Sequence, residues 1–206
     1  KMMAVLVCLP RFQMRPPCNS ISCILKESFF SDIMNKTESI RFTEKGEAGQ
    51  MEDEIRIAVL SDTHGMLRRE VVAELQDCSH ILHAGDIVKE TDLDELRLYG
   101  SVYAVRGNKD VWQEGLRNLA HVLRFDIGGV NFLMTHDRYD LPRNLEGVQA
   151  VIFGHSHRYS EVWQDGRLWL NPGSCGRSRF GSDVTMAKLT IRGGRITGVR
   201  RIDFPG

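Results

Sequence analysis

The sequence predicts an α/β fold of two packed, mixed sheets with helices covering the outside. Three observations lead there. Strand and helix periodicities alternate between residues 55 and 105, three hairpin signals follow, and Asp, Asn or His stands directly after successive apolar runs.

The first strand is expected at 55–60, a short and mostly apolar run ending in Ser61 and Asp62, as strands buried on both faces do. A helix is expected over 67–76, where Leu67, Val71, Val72 and Leu75 recur at helical spacing. Residues 79–84 read as a second strand ending at Gly85-Asp86, and 91–98 as a short helix with Thr91 at its N-cap and Asp94 three residues on. A third strand at 101–105 runs into Gly107-Asn108. This β-α-β-α-β order implies parallel strands joined by right-handed crossovers. The character then changes. Segments 121–127 and 130–134 flank Gly128-Gly129, 161–164 and 167–170 flank Asp165-Gly166, and 183–191 and 195–202 flank Gly193-Gly194, each a hairpin turn pair. Between the first two hairpins, 150–153 is another buried strand.

Residues 1–50 read differently. They hold Cys8, Cys18 and Cys23 and a Pro16-Pro17 pair, without sustained periodicity. They are expected to be a disordered N-terminal extension, or sequence translated upstream of a true start at Met51. Lys45-Gly46-Glu47 can be encoded by a purine-rich ribosome-binding sequence at a suitable distance before that methionine. The functional domain is therefore expected at 51–206.

Composition narrows the function classes. Lys plus Arg equals Asp plus Glu at 27 each, so no basic field attracts nucleic acid or anionic membrane, and a nucleotide is expected only as substrate. The odd set of five cysteines, completed by Cys78 and Cys175, shows no disulfide framework and suits a reducing cytoplasm. No apolar run approaches the roughly 18–20 residues that span a bilayer. The apolar stretch 2–9 lacks the flanks of a secretory signal.

Chemistry concentrates at strand ends. Asp62 and His64 follow the first strand, Asp86 the second, Asn108 the third, His136 a later one, and His155 and His157 the strand at 150–153. In open α/β sheets ligands bind beyond the carboxyl ends of strands, so these side chains are expected to converge on one edge. Carboxylate, amide oxygen and imidazole suit manganese, iron, zinc or nickel, and a thiolate is absent. Seven donors serve two cations if one carboxylate bridges them, and two cations can clamp a phosphoryl displacement. His80, His83 and His121 match no such position and read as packed or surface residues. Cys175 reads as small-residue packing, and Trp112, Trp163 and Trp169 as core or rim.

Ser61-Asp62-Thr63-His64-Gly65, Gly85-Asp86, Gly107-Asn108-Lys109-Asp110, Thr135-His136 and Gly154-His155-Ser156-His157 together resemble the calcineurin-like metallophosphoesterases. Asn171-Pro172-Gly173-Ser174 resembles the small single-domain phosphodiesterase branch of bacteria and archaea. The resemblance spans about residues 55–202. It implies a four-layer α/β/β/α sandwich, with Asp62, His64 and His157 on one divalent metal and Asn108, His136 and His155 on the other. Asp86 matches the bridging carboxylate, and a hydroxide between the metals would attack phosphorus. Many relatives have His where this chain has Lys109, whose ordinary pKa of about 10.4 suits charge neutralisation better than proton donation. Asp137 stands where the branch often has Gly. Arg177 and Arg179, after the Asn-Pro-Gly-Ser turn, are candidates to grip substrate phosphate through forked donors. The expected activity is metal-dependent hydrolysis of a small phosphoester, a diester first, with two manganese ions and the chain alone or as a homo-oligomer. The alternative is a non-catalytic interaction scaffold on the same fold, as in the phosphoesterase-like subunit of retromer; such a scaffold can lose a ligand His, whereas here every position is filled.

Overall fold

The computed structural model describes residues 54–178, 181 and 183–206, so the readings for residues 1–50 and for Arg179 lie outside the described residues. Strand β1 (Ile55–Leu60) shows why the first apolar run is continuous. Ile57 and Val59 enter the core between two sheets, while Ala58 and Leu60 face the helices. Burial on both faces removes the polar alternation of a solvated strand. Parallel pairing joins β1 to β2 (His80–His83), and β2 to β3 (Ser101–Ala104). On its other edge β1 meets β9 (Val184–Arg192) antiparallel, and β10 (Arg195–Phe204) closes that side, giving the order β10-β9-β1-β2-β3.

The second sheet has the order β4-β5-β6-β8-β7, from β4 (Val122–Ile127), β5 (Val130–Thr135), β6 (Ala150–Ile152), β7 (Tyr159–Gln164) and β8 (Arg167–Pro172). Its centre β5-β6-β8 is parallel and its two edges are antiparallel, so both sheets are mixed as expected. All three hairpins form at their turn pairs. The glycines and Asp165 there sit at positive φ, which matches the right-handed twist of paired strands.

Helices α1 (Arg69–Ala73) and α2 (Glu90–Leu96) cover the first sheet, burying Val71, Leu93 and Leu96 with Leu75 against Leu60 and Ile81. The expected helix over 67–76 is shorter in the fold. Beyond Ala73 the bonds tighten to Glu74 N–H to Val71 O and Leu75 N–H to Val72 O, a 3-10 ending that still buries Leu75. The second helix begins at Glu90, with Lys89 rather than Thr91 as its N-cap and no side-chain cap bond. Its start is set from outside: Val88 N–H donates to Asp110 Oδ1 at 2.7 Å, fixing the chain just ahead of the helix. On the outer face of the second sheet the covering layer is thin. The 3-10 turn Arg138–Asp140 and the segment after it lay Leu141, Leu145 and Val148 over Leu133 and Val151. Cys175 is fully buried as expected, whereas Trp112 is 84% exposed on a surface turn and takes no part in the core.

Candidate metal centre

The carboxyl ends of β1, β2, β5 and β6 meet at one rim, where hydrogen bonds continue past the strand ends. Asp62 N–H donates to Gly85 O, His64 N–H to Asp86 O and Gly154 N–H to His136 O, at 2.9–3.0 Å. These bonds hold the loops in an unusual conformation. Asp62 (φ 55°), His64 (φ 49°), Asp86 (φ 55°), His155 (φ 68°) and His157 (φ 56°) all lie in the left-handed region. Outside glycine this costs of order 1–3 kcal/mol per residue and clusters at ligand-binding sites. Five of the seven expected donors carry that strain, and Val88, two residues after Asp86, shares it.

The side chains converge. His157 Nε2 lies 3.1 Å from Asp62 Oδ1 and 3.2 Å from His64 Nε2. His64 Nε2 is 3.8 Å from both Asp62 Oδ1 and Asp86 Oδ2. On the far side of Asp86, its Oδ1 lies 3.6 Å from His136 Nε2, which is 3.3 Å from His155 Nδ1. One polar atom of the Asn108 amide lies 3.3 and 3.2 Å from the two Asp86 oxygens, so oxygen or nitrogen can be turned towards the carboxylate. Asp62, His64 and His157 form one compact donor group, and Asp62, Asp86 and His136 a second, with ligand atoms in each within 4.8 Å of one another. The pair Asp62–His64 and the pair His155–His157 therefore meet.

The donor set fits divalent cations. Asp62 is fully buried, and its Oδ1 accepts no well-formed hydrogen bond although His157 stands beside it. Burial opposes ionisation of Asp62, but His157, His136 and Ser61 offset it and hold the carboxyl below its ordinary range, ionised. His136 Nδ1 is 2.8 Å from Ala84 O; donating there leaves Nε2 as a lone pair directed inward. Lone pairs and anionic oxygens pointing at shared centres repel unless positive charge lies between them. His155 is half exposed and Asn108 is exposed, while His136 and Asp86 are buried.

Residues 55–194 match the Calcineurin-like phosphoesterase superfamily domain. The chain belongs to this superfamily. A probable metallophosphoesterase of Methanocaldococcus jannaschii is 32% identical over 130 residues, 57% of this chain and 67% of that one. Among solved structures, an archaeal phosphodiesterase aligns with TM-score 0.59 at 22% identity, over 73% of this chain and all of that one. Vps29 of Entamoeba histolytica, in complex with Zn2+, aligns with TM-score 0.50 at 21% identity, over 73% and 100%. At these identities the two structures speak for the fold alone.

The rim also rests on residues whose bracing role the sequence patterns did not reveal. Ser61 Oγ donates to Asp62 Oδ2 at 2.6 Å, and His155 N–H reaches the same oxygen at 3.1 Å. Asp110, fully buried, accepts from Val88 N–H and Gly107 N–H at 2.7 Å each, locking the Asp86 loop to the Asn108 loop. Asn171 donates to Gly154 O and Ser156 Oγ, and Ser174 Oγ donates to Asp62 O, so the Asn-Pro-Gly-Ser turn braces both halves of the donor set. His83, read as a packed residue, is buried and supports Thr63 between Asp62 and His64. A polar residue inside an apolar run, as His83 is, was the available signal. Asp137 caps the Arg138–Asp140 turn through Tyr139 N–H and leaves its Oδ2 3.8 Å from His155 Nε2. Lys109 and Arg177 are exposed, and Lys109 N–H donates to Asp86 Oδ1 at 2.9 Å. Among the described residues no helix is long and apolar enough to cross a membrane.

Proposed function

We propose that residues 51–206 form a phosphodiesterase domain working with two divalent cations, manganese first among them. The carrying observation is the placement of Asp86, with Oδ2 3.8 Å from His64 Nε2 and Oδ1 3.6 Å from His136 Nε2, so that one carboxylate stands between the histidines assigned to the two cations. In this reading Asp62, His64 and His157 would hold one cation and Asn108, His136 and His155 the other, with Asp86 serving both. Cations bound there supply Lewis acidity towards phosphate and lower the pKa of water into the neutral range. The chain's own residues do the rest. Ser61 and His155 N–H fix the Asp62 carboxylate, Lys109 N–H and Asn108 fix Asp86, and Ala84 O sets the His136 tautomer. The exposed side chains of Lys109 and Arg177 are the candidates to offer cationic donors to the phosphate and the leaving oxygen. A complete donor set favours the enzyme over a scaffold on the same fold, because assembly places no demand on any ligand histidine.

The test combines metal analysis with a panel of mono-, di- and cyclic phosphoesters. Protein stripped of metal and reloaded with Mn2+ is expected to bind two ions per chain and to hydrolyse aryl phosphodiesters in preference to monoesters. Asp86→Ala and His155→Ala are expected to lose at least about a thousandfold in kcat/KM, consistent with the several kcal/mol such cations contribute. Protein holding two Mn2+ yet inert towards the whole panel would overturn the assignment.

A further inference from the structure

We propose that this phosphoesterase takes diesters with an aromatic arm, and that a cleft on the outer face of the second sheet is the subsite holding that arm. The proposal rests on the phosphoesterase reading above. Because the layer over this face is thin, an apolar depression of about 590 Å³ is left between the Arg138–Asp140 turn and strand β7. Its walls include Tyr139, Leu141, Phe153, Val162 and Trp169. The sheet register explains the floor: Val162 pairs with Trp169, and Ser160 and Gln164, two residues to either side of Val162, share its face.

The cleft does not stand apart from the metal centre. A neighbouring depression of about 310 Å³ is lined by His155, Gly154 and Asp137, and the two share Arg138, Tyr139, Phe153 and Ser160 as walls. A path therefore leads from His155 to Trp169 over continuous surface. Its chemistry changes along the way. Arg158 lies at the His155 end, Arg138 stands with Tyr139 and Phe153 at the junction, and the far end is apolar, walled by Leu141, Val162 and Trp169. Tyr139 is 83% exposed and Val162 52%, so apolar surface faces solvent at a place where a ligand would cover it. The volume lies in the range of small-molecule pockets. Flat faces from Tyr139, Phe153 and Trp169 favour a planar ring over a saturated one of equal size, through stacking and edge contacts. Ser160 and Gln164 at the side offer polar partners to a ring carrying heteroatoms.

Three p-nitrophenyl phosphodiesters sharing one leaving group test this: the methyl, cyclohexylmethyl and benzyl esters, whose remaining alkyl oxygens are of similar reactivity. The benzyl ester is expected to show kcat/KM at least tenfold above the methyl ester, with the cyclohexylmethyl ester between. Val162→Glu, on an exposed edge strand, should bring the benzyl ester down to the methyl value while leaving the methyl ester within twofold. Tyr139→Ala should reduce the same ratio. A ratio near one in the unaltered protein, or a ratio unchanged in both variants, overturns the subsite. So does loss of a dimer in Val162→Glu with the ratio unchanged, because the face then serves contact between copies. Binding of benzylphosphonate and methylphosphonate to the Mn2+-loaded protein, followed by tryptophan fluorescence, separates the two proposals. Tenfold tighter benzyl binding without turnover of any ester supports the subsite and sinks the hydrolase reading; equal binding sinks the subsite.

Discussion

At the scale of single residues, the centre depends on positions too crowded for a side chain. A Cβ at Gly154 would lie 1.9 Å from Ser61 Oγ and 2.9 Å from Asp62 Oδ2. Gly154→Ala should therefore push Ser61 off Asp62 and weaken metal binding by about 10–100-fold, the usual cost of losing an outer-shell partner. Adding Ser61→Gly should restore part of the affinity, measured by titration with Mn2+; no recovery would show that the clash acts elsewhere. His83 gives a pH prediction. Burial pushes its pKa down to about 4, opposed by the charge of Asp62, with Thr63 Oγ1 3.1 Å from one ring nitrogen and Gly85 N–H donating to the other. The unfolded chain protonates His83 near its ordinary value of about 6.5 and the folded one does so only near 4. The folded state thus keeps this stability above pH 6.5 and loses it as pH falls towards 4, by about 3 kcal/mol in all. Urea unfolding of chelated protein at pH 7, 5.5 and 4 should show that decline, and His83→Gln should flatten it; parallel slopes would refute it. The sequence displayed the seven donors because each follows an apolar run. It showed Ser61, Asp110, Asn171 and Ser174 as members of motifs but not as braces, because a brace is defined by what it touches across the chain.

At the scale of elements, strands were legible and helix limits were not. Strand periods and glycine-rich turns are local, so every strand and all three hairpins appear within a few residues of their expected positions. Helix ends depend on tertiary ties, such as Asp110 holding Val88 ahead of α2. The consequence is a helix whose N-cap, Lys89, has the extended backbone of a cap (φ −122°, ψ 125°) but no side chain able to accept a bond. Lys89→Ser supplies one, with Asp92 at the third helical position completing a capping pair. Stability should rise by about 0.5–1 kcal/mol in urea unfolding. A neutral or negative change would mean that Lys89, which also lies over Gly65, contributes more by packing than the cap returns.

At the scale of the whole molecule, the donors come from both halves of the sandwich. Asp62, His64, Asp86 and Asn108 follow strands of the first sheet, and His136, His155 and His157 strands of the second. Cations held there as proposed would link two sheets otherwise joined by the shared apolar core of Ile57, Val59, Phe132 and Ile152. A ligand that binds only the folded chain stabilises it by about 2.7 kcal/mol at one hundred times its Kd. For a domain of this size that corresponds to roughly 5–10 °C in Tm. Removing metal with a chelator should lower Tm by that amount, and Mn2+ should restore it. Asp86→Ala should erase most of the Mn2+ response, because in the proposed reading Asp86 serves both cations, whereas His157→Ala touches only one and should leave an intermediate response. Equal responses in the two variants would mean that Asp86 does not face both cations, and a response unchanged in either would place the bound metal somewhere other than this rim.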